Sequence, residues 1–303
     1  MTIWQTKNWQ EMLLKSNQVS KYFEIDGIFI EKRSIGLNKY GLFILGVLDI
    51  NKIDENKLIE ICQKENALFI QVETFDIEKK SLNNLKINSK FKPGYYKKFI
   101  TPHTAIIDLN LSLDEILEKM KPKGRYNIKL ATKKGVSVFE SLKNDENIKN
   151  FYNLMQETTS RDNFFGNTFN YYKNFLNSLD NSKLFFAKYE DKIISAGIFT
   201  FDKDISIYYY GASTSDKNYR NLMAPYALQW EVIQKSKEFG SKYYDFLGIA
   251  GPLEKNSPLS GVTDFKLKFT CNTLEISKSY IYINKKFEFF IFNLLKKIKS
   301  RFF

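Results

Sequence analysis

Two cysteines in 303 residues, Cys62 and Cys271, with no CxxC and no companion cluster, offer neither a disulfide framework nor a zinc site. The single histidine, His103, stands in a Thr-Pro-His-Thr loop, so a histidine-dependent triad would have to be built around one residue, which more often serves a loop or strand edge. No GxxxxGK[ST] run occurs, and Gly124 and Gly135 are isolated, which argues against an ATP-dependent ligase. A Gln/Arg-x-x-Gly-x-Gly/Ala loop opening a helix is missing too, which argues against an acyl-CoA enzyme. The opening Met1-Thr2-Ile3-Trp4-Gln5 has no basic segment followed by an apolar run, and no uncharged stretch reaches ~18 residues. The expectation is a protein of the reducing cytoplasm, neither exported nor membrane-spanning, with no metal or organic cofactor.

What is present is aromatic and basic. Hydrophobic residues make up 43% of the chain, with 27 Phe and 18 Tyr, so a large aromatic core is expected, and the length suggests two domains packed as one body. Lys and Arg number 46 against 34 Asp and Glu, a formal net charge of +12. Such a balance attracts tRNA, phosphates or anionic lipid, although a lysine-rich solvated surface explains it equally well.

Along the chain, strand-like runs at Gly27 to Glu31, Tyr40 to Val47 and Leu68 to Glu73 surround a helical Asp54 to Glu65. A second series opens with the strand Thr104 to Leu109. Ser112 caps a helix with Asp114 and Glu115 in its first turn. Then come a basic segment from Lys119 to Lys134, helical after Pro122, and a helix through Ile148 to Thr158. Strands at Leu184 to Tyr189 and Ile193 to Phe201 are joined by an Asp191-Lys192 turn, and a third follows at Ile205 to Tyr210. A helix from Ala224 to Phe239 is closed by Gly240, and a buried strand spans Tyr243 to Leu247. This is the order of a small acyltransferase-type αβ domain, of which the first hundred residues could be a degenerate copy.

Four strings carry the chemistry. Arg125 and Tyr126 head the basic segment, a phosphate binder or a solvated face. Arg161 and Asp162 end a helix and read as a local ion pair. Tyr208-Tyr209-Tyr210-Gly211-Ala212-Ser213 ends a strand against small residues, and alternation sends Tyr208 and Tyr210 to one face and Tyr209 to the other. Asp264 to Phe269 reads as a strand with Phe265, Leu267 and Phe269 on one face and Lys266 and Lys268 on the other, an edge guarded by lysines. Phe287 to Phe303 reads as an amphipathic helix with Lys296, Lys297, Lys299 and Arg301. It would either meet an anionic membrane or pack its Phe-rich face on the first domain.

In this order the strings resemble the Fem family of peptidoglycan bridge-forming aminoacyltransferases. The shared strings are Trp4 to Trp9, TPHTAIIDL at 101 to 109, RYNI at 125 to 128, TTSRD, Tyr171-Tyr172, YYYGAS, Met223 to Tyr226 with Trp230, YYDFLGI at 243 to 249, and Phe265-Lys266. The resemblance implies an α/β (α+β) fold of two tandem acetyltransferase-like (GNAT-type) domains. The first would hold residues 1–98 with 279–303 and the second 99–278, the C-terminal segment returning to the first. The short stretch between Tyr172 and Leu184 places the chain with compact members lacking a coiled-coil arm.

The implied activity is transfer of glycine, alanine or serine from an aminoacyl-tRNA to the side-chain amine of the third stem-peptide residue of a peptidoglycan precursor, lipid-linked or UDP-linked. The protein would be a cytoplasmic monomer, possible membrane contact being made by its C-terminal basic helix. By resemblance Lys266, with Phe265, lies near the acyl carbonyl and the terminal ribose. Tyr210 and Tyr171 contact substrate, with Arg125 and Arg161 as further binding candidates, and Glu73 is the acidic residue of the first domain. Two positions depart from the family: Asn167 stands where compact members have an arginine, and Leu13 where a lysine is expected, with Lys15 nearby. Both departures favour a lipid-linked acceptor. The alternatives are an acyl-CoA N-acyltransferase of the same fold and a non-catalytic tRNA- or membrane-binding protein.

Overall fold

The computed structural model describes residues 2–78, 89–254 and 256–302. Two compact units emerge, Met1–Pro102 with Glu275–Phe303, and His103–Leu274. In the first unit α1 (Lys7–Lys15) precedes β1 (Lys21–Ile25), β2 (Ile28–Gly36) and β3 (Lys39–Val47). After these come α2 (Glu55–Lys64), β4 (Phe69–Thr74) and the two-residue β5 (Lys92–Pro93). Thr6 and Asp54 cap the two helices with side-chain oxygens on backbone N–H groups of the first turn.

The second unit holds β6 (His103–Asp108), α3 (Leu113–Lys119), α4 (Pro122–Lys133), β7 (Val136–Ser141), α5 (Asp145–Asp162) and α6 (Phe169–Ser178). It continues through β8 (Ser182–Tyr189), β9 (Lys192–Thr200), β10 (Ile205–Ser213), α7 (Lys217–Arg220) and α8 (Ala224–Phe239). β11 (Tyr243–Ile249), α9 (Ser260–Lys266) and β12 (Thr273–Glu275) complete it. The chain then returns to the first unit as β13 (Ser279–Ile283) and α10 (Lys286–Phe302).

The first sheet has strand order β1-β2-β3-β4-β13-β5, and the second β12-β6-β11-β10-β9-β8-β7. β13 lies antiparallel on β4 in the register Ser279 to Glu73, so residues some two hundred positions apart close one sheet. In the second unit α4 and α8 cover one face, burying Phe185, Phe199, Tyr244 and Phe246. α5 and α6 cover the other, with Phe151, Tyr172 and Phe175 fully buried. Each such ring contributes on the order of 1.5–3 kcal/mol by leaving water.

Local signals behave as their chemistry requires. Ser112 and Glu115 form the reciprocal capping box of α3. Gly240 ends α8 in the left-handed region, with φ 91°. The β8–β9 turn falls one residue earlier than expected, on Glu190-Asp191, since Tyr189 pairs with Lys192.

Two expectations are overturned. The segment at Asp264 to Phe269 is not an edge strand: α9 ends at Lys266, and hydrogen bonds from Leu267, Lys268 and Phe269 back to Thr263, Phe265 and Lys266 continue it as a turn. The apolar spacing at 265, 267 and 269 fits period 2, but 265 and 269 are also one helical turn apart, and their rings meet at 5.3 Å. Alternation also fails at 208–210, because β10 is bulged there against β9. Tyr208 faces α8, reaching Gln229 and stacking on Phe199, while Tyr209 and Tyr210 both meet Phe175 of α6. Gly211 makes room for this, since a β-carbon there would run into the Tyr208 hydroxyl.

Gly124 has a comparable reason. A β-carbon would stand 2.2 Å from the Lys268 carbonyl oxygen, so the start of α4 lies directly against the turn after α9. Gly124→Ala is expected to destabilise the second unit by ~1–3 kcal/mol through overpacking, visible as a lowered Tm.

Candidate active site where two parallel strands part

β10 and β11 run parallel and pair only at Ile205–Tyr243, Ser206–Tyr244 and Ile207–Asp245. Beyond these pairs β10 continues on β9 to Ser213 and β11 on β6 to Ile249, and both strands are bulged at the parting. The β11 bulge sets Leu247 in the left-handed region, with φ 54°. Neighbouring parallel strands that separate leave backbone groups and side chains facing a gap, where a ligand can enter a sheet. The parallel pair of the first unit, β3 and β4, stays joined from Leu42–Ile70 to Val47–Thr74. There the opening Trp-Gln segment packs on the strand end. Gln5 bonds to the Leu45 carbonyl at 2.8 Å, Thr2 bonds to the Gly46 carbonyl at 2.7 Å, and Trp4 rests on Phe75. The opening therefore exists in the second unit and is sealed in the first.

Lys266 sits at this opening, nearly fully buried. Its ammonium donates to the carbonyls of Gly248 at 2.8 Å and Leu247 at 3.3 Å, on the bulge itself, and lies 5.9 Å from the Tyr208 ring. Phe265 fixes α9 by packing its ring on Tyr226 and Phe269, and Thr263 accepts a hydrogen bond from the Ala250 N–H at 2.8 Å. Burial lowers the Lys266 pKa to about 8, and the nearby Asp245 charge resists the drop. A shift of that size costs the protonated form roughly 3 kcal/mol relative to water.

Asp245, fully buried on β11, is the group sequence reasoning missed. Thr104 donates its hydroxyl to Asp245 Oδ1, and the Leu247 N–H donates to the same oxygen at 2.8 Å, closing the bulge. Among the described residues no hydrogen-bond donor meets its Oδ2. Burial pushes its pKa up to about 6, against the hydrogen bonds from Thr104 and Leu247 and the charge of Lys266. At neutral pH both groups are mostly ionised. The readable signal was a carboxylate in the otherwise apolar strand Tyr243 to Leu247, a placement that needs partners.

Tyr171 and Tyr210 join hydroxyls at 3.0 Å with their rings edge to face, and Tyr172 and Phe175 complete the aromatic wall. Burial raises the Tyr209 and Tyr210 pKa well above the usual phenol value, so both hydroxyls stay neutral donors. The structure thus groups Lys266 with Asp245, Thr104 and Tyr208 at the parted strands, Phe265 being its neighbour on α9, while Tyr171 and Tyr210 form a separate hydroxyl pair against Phe175 of α6.

The remaining candidates have other surroundings. Arg125 donates to the carbonyls of Leu117, Glu118 and Met120, capping the C-terminus of α3. Arg161 pairs with Asp162, as expected, and also ties α5 to the end of β10 through the Ser213 and Thr214 carbonyls. Asn167 is half-buried, and its N–H bonds to the Tyr172 hydroxyl at 3.2 Å. Lys15 is exposed in the last turn of α1, and Leu13 is core; both belong to the first unit.

Glu73, also in the first unit, is fully buried rather than open to a substrate. Its carboxylate accepts from Gln71 at 2.5 Å, the Phe99 N–H at 3.0 Å and the Ile100 N–H at 2.6 Å, anchoring the loop before Thr101. Burial raises its pKa to about 7. Since the folded state binds this proton more tightly than the unfolded chain, its contribution to stability is full below pH ~4.5 and is lost as pH rises through about 7. Glu73→Ala is expected to orphan three donors and cost ~1–3 kcal/mol at pH 5, flattening the fall in Tm between pH 5 and 8. It should leave the turnover of folded protein within a few-fold of wild type.

Several known proteins are similar to this chain. Lipid II:glycine glycyltransferase of Staphylococcus haemolyticus is 25% identical over 288 residues, covering 71% of this chain and 68% of that protein. Aminoacyltransferase FemA of Staphylococcus epidermidis is 33% identical over 107 residues, covering 35% of this chain and 25% of that protein. The crystal structure of FemX superposes with a TM-score of 0.76 at 18% identity, covering 96% of this chain and 94% of that one. The fold is thus mixed α/β in two units, each built on one sheet, with the C-terminal segment returning to the first. The model of the FemAB family matches residues 89–189 and 177–297, well over half of the sequence, and the chain belongs to that family.

Proposed function

We propose that the chain is an aminoacyltransferase that moves glycine, alanine or serine from a charged tRNA to the side-chain amine of the third stem-peptide residue of a peptidoglycan precursor. The observation that carries this reading is the buried Lys266 ammonium. Two of its three N–H groups go to the bulge carbonyls, and among the described residues the third has no protein acceptor. Held at the parting of β10 and β11, that N–H is placed to meet the ester carbonyl oxygen. The acceptor amine attacks the carbonyl carbon, and the oxygen gains charge that the fixed ammonium stabilises. The C–N bond forms as the C–O bond to ribose breaks, and the amine's proton leaves with the ribose oxygen. Tyr210 and Tyr171 line the approach, Phe265 positions Lys266, and Asp245 keeps Lys266 charged.

A tRNA donor fits the net charge of +12 better than acyl-CoA fits the start of α8, the helix that follows β10. Pro225 removes one N–H from its first turn, and the Tyr226 N–H is taken by the Met223 carbonyl, so little remains for a pyrophosphate. The relatives named for lipid II, with Asn167 and Leu13 replacing expected cations, favour a lipid-linked acceptor. The protein would then act as a cytoplasmic monomer peripheral to the membrane.

The test is transfer of labelled glycine, alanine and serine from charged tRNA to lipid-linked and nucleotide-linked precursors in parallel. Label on the lipid-linked acceptor supports the full reading, and label on the nucleotide-linked one alone corrects the acceptor. Label on neither, with folded protein and verified donor, rejects the activity.

A further inference from the structure

The last helix of the first unit has two apolar faces where one would suffice. Its inner face is anchored: Phe292 is buried against Tyr96, with ring centroids 6.0 Å apart, and Phe289 meets Phe69 at 5.4 Å. Lys285 and Lys39 fix its first turn through Glu288, at 3.2 and 2.6 Å. The other side carries Phe287, Phe290, Ile291, Leu294 and Ile298, at spacings i, i+3, i+4, i+7 and i+11, all in the exposed class. This spacing puts them in one stripe, turned about half a circle from Phe289 and Phe292. Phe287 is 77% exposed and Phe290 65%, values a soluble surface rarely gives to two large rings on one helix.

The charges beside the stripe select what covers it. Lys286 and Lys297, both exposed, follow one border of the stripe, while Lys296 lies on the anchored inner side with its ammonium over the Tyr96 ring at 4.3 Å. The whole chain carries +12, so a second copy would bring like charge to this face. An anionic lipid surface offers the opposite charge and an acyl boundary for the rings, the combination that holds amphipathic helices in the interface plane. The Lys299 and Arg301 side chains, named with this helix from sequence, lie outside the described residues. No described helix is long and apolar enough to cross a membrane.

We infer that α10 is a membrane-docking helix whose Phe287, Phe290, Ile291, Leu294 and Ile298 stripe enters the interface of an anionic bilayer. Its biological role rests on the reading of a lipid-linked acceptor. The docking itself is a property of this surface and can be measured without any precursor.

The experiment is co-sedimentation of the full chain with phosphatidylcholine vesicles containing or lacking phosphatidylglycerol, using wild type and the double variant Phe290→Asp, Leu294→Asp. Wild type is expected to bind the anionic vesicles, more weakly at high salt, and the variant to bind at least tenfold more weakly with unchanged Tm. Equal binding by both proteins, or none by wild type, overturns the inference. So does a wild-type dimer on sizing that the variant converts to monomer, because the stripe would then be a self-association face. Transfer to a detergent-solubilised precursor separates this from the activity: the variant should match wild type there and lose only transfer to precursor embedded in vesicles. Absence of transfer in both formats with vesicle binding intact would count against the activity alone.

Discussion

Lys266→Ala is expected to lower the rate of aminoacyl transfer by about 10²–10³-fold at saturating substrates, the range for removing one fixed donor to a developing oxyanion. The loss should fall mainly on turnover, because the interaction strengthens as the carbonyl oxygen acquires charge. Two features of the site make the effect large. The ammonium is held by the Gly248 and Leu247 carbonyls, so little reorganisation accompanies the reaction, and it is shielded from water, where its field acts at reduced screening. Lys266→Arg should restore little, since a planar guanidinium cannot reproduce a compact ammonium seated on two converging carbonyls. Circular dichroism and Tm, together with retained affinity for the donor, separate this result from unfolding. Full turnover by the alanine variant would remove Lys266 from the chemistry.

The second large effect is a change in pH dependence. Asp245→Asn keeps an oxygen for the Thr104 hydroxyl and the Leu247 N–H but deletes the charge that opposes deprotonation of Lys266. Wild-type Lys266, with its pKa lowered to about 8, loses its charge as pH rises through that value. Without the carboxylate the charged form is less favoured, its pKa falls further, and the loss begins at lower pH. The expected outcome is a variant roughly 3- to 10-fold slower than wild type at pH 8, the deficit shrinking toward pH 6. The deficit shrinks for a second reason as well, since wild-type Asp245, with a pKa of about 6, is itself becoming neutral there. Taking the ratio of variant to wild type at each pH cancels titration of the acceptor amine, whose nucleophilicity rises with pH in both proteins. A ratio independent of pH would mean that Asp245 only closes the bulge.

Much of this architecture was legible because it rests on local chemistry. The capping box at Ser112, the Gly240 terminus of α8 and the alternating strands at 184–189 and 193–201 are dictated by neighbours in sequence, and the structure has them. The site itself is built from departures from periodicity. A bulge in β10 turns Tyr209 and Tyr210 together toward α6, which alternation forbids, and a bulge in β11 exposes the carbonyls that hold Lys266. In the sequence only resemblance marks Lys266, and period 2 puts it on a strand. Its burial follows from a helix that period 2 could not show and from the Gly124–Lys268 contact between distant segments. Glu73 and Arg125 illustrate the converse. Both are charged residues in suggestive strings, and in both the structure accounts for the charge by loop or helix-end hydrogen bonds within the fold. Asp245 shows in the sequence only as a carboxylate in an apolar strand, because its partner Thr104 lies 141 residues away.

The central claim is that the acyl end of the donor enters where β10 and β11 part. It is tested most directly by photo-crosslinking with a stable 3′-aminoacylamido-adenosine that carries a diazirine on its acyl group, followed by mass spectrometry of the adducts. The account predicts adducts confined to Tyr208–Tyr210, Asp245–Gly248 and Lys266, suppressed by excess charged tRNA. Specific adducts in the first unit instead, near Glu73 or Lys15, would contradict it.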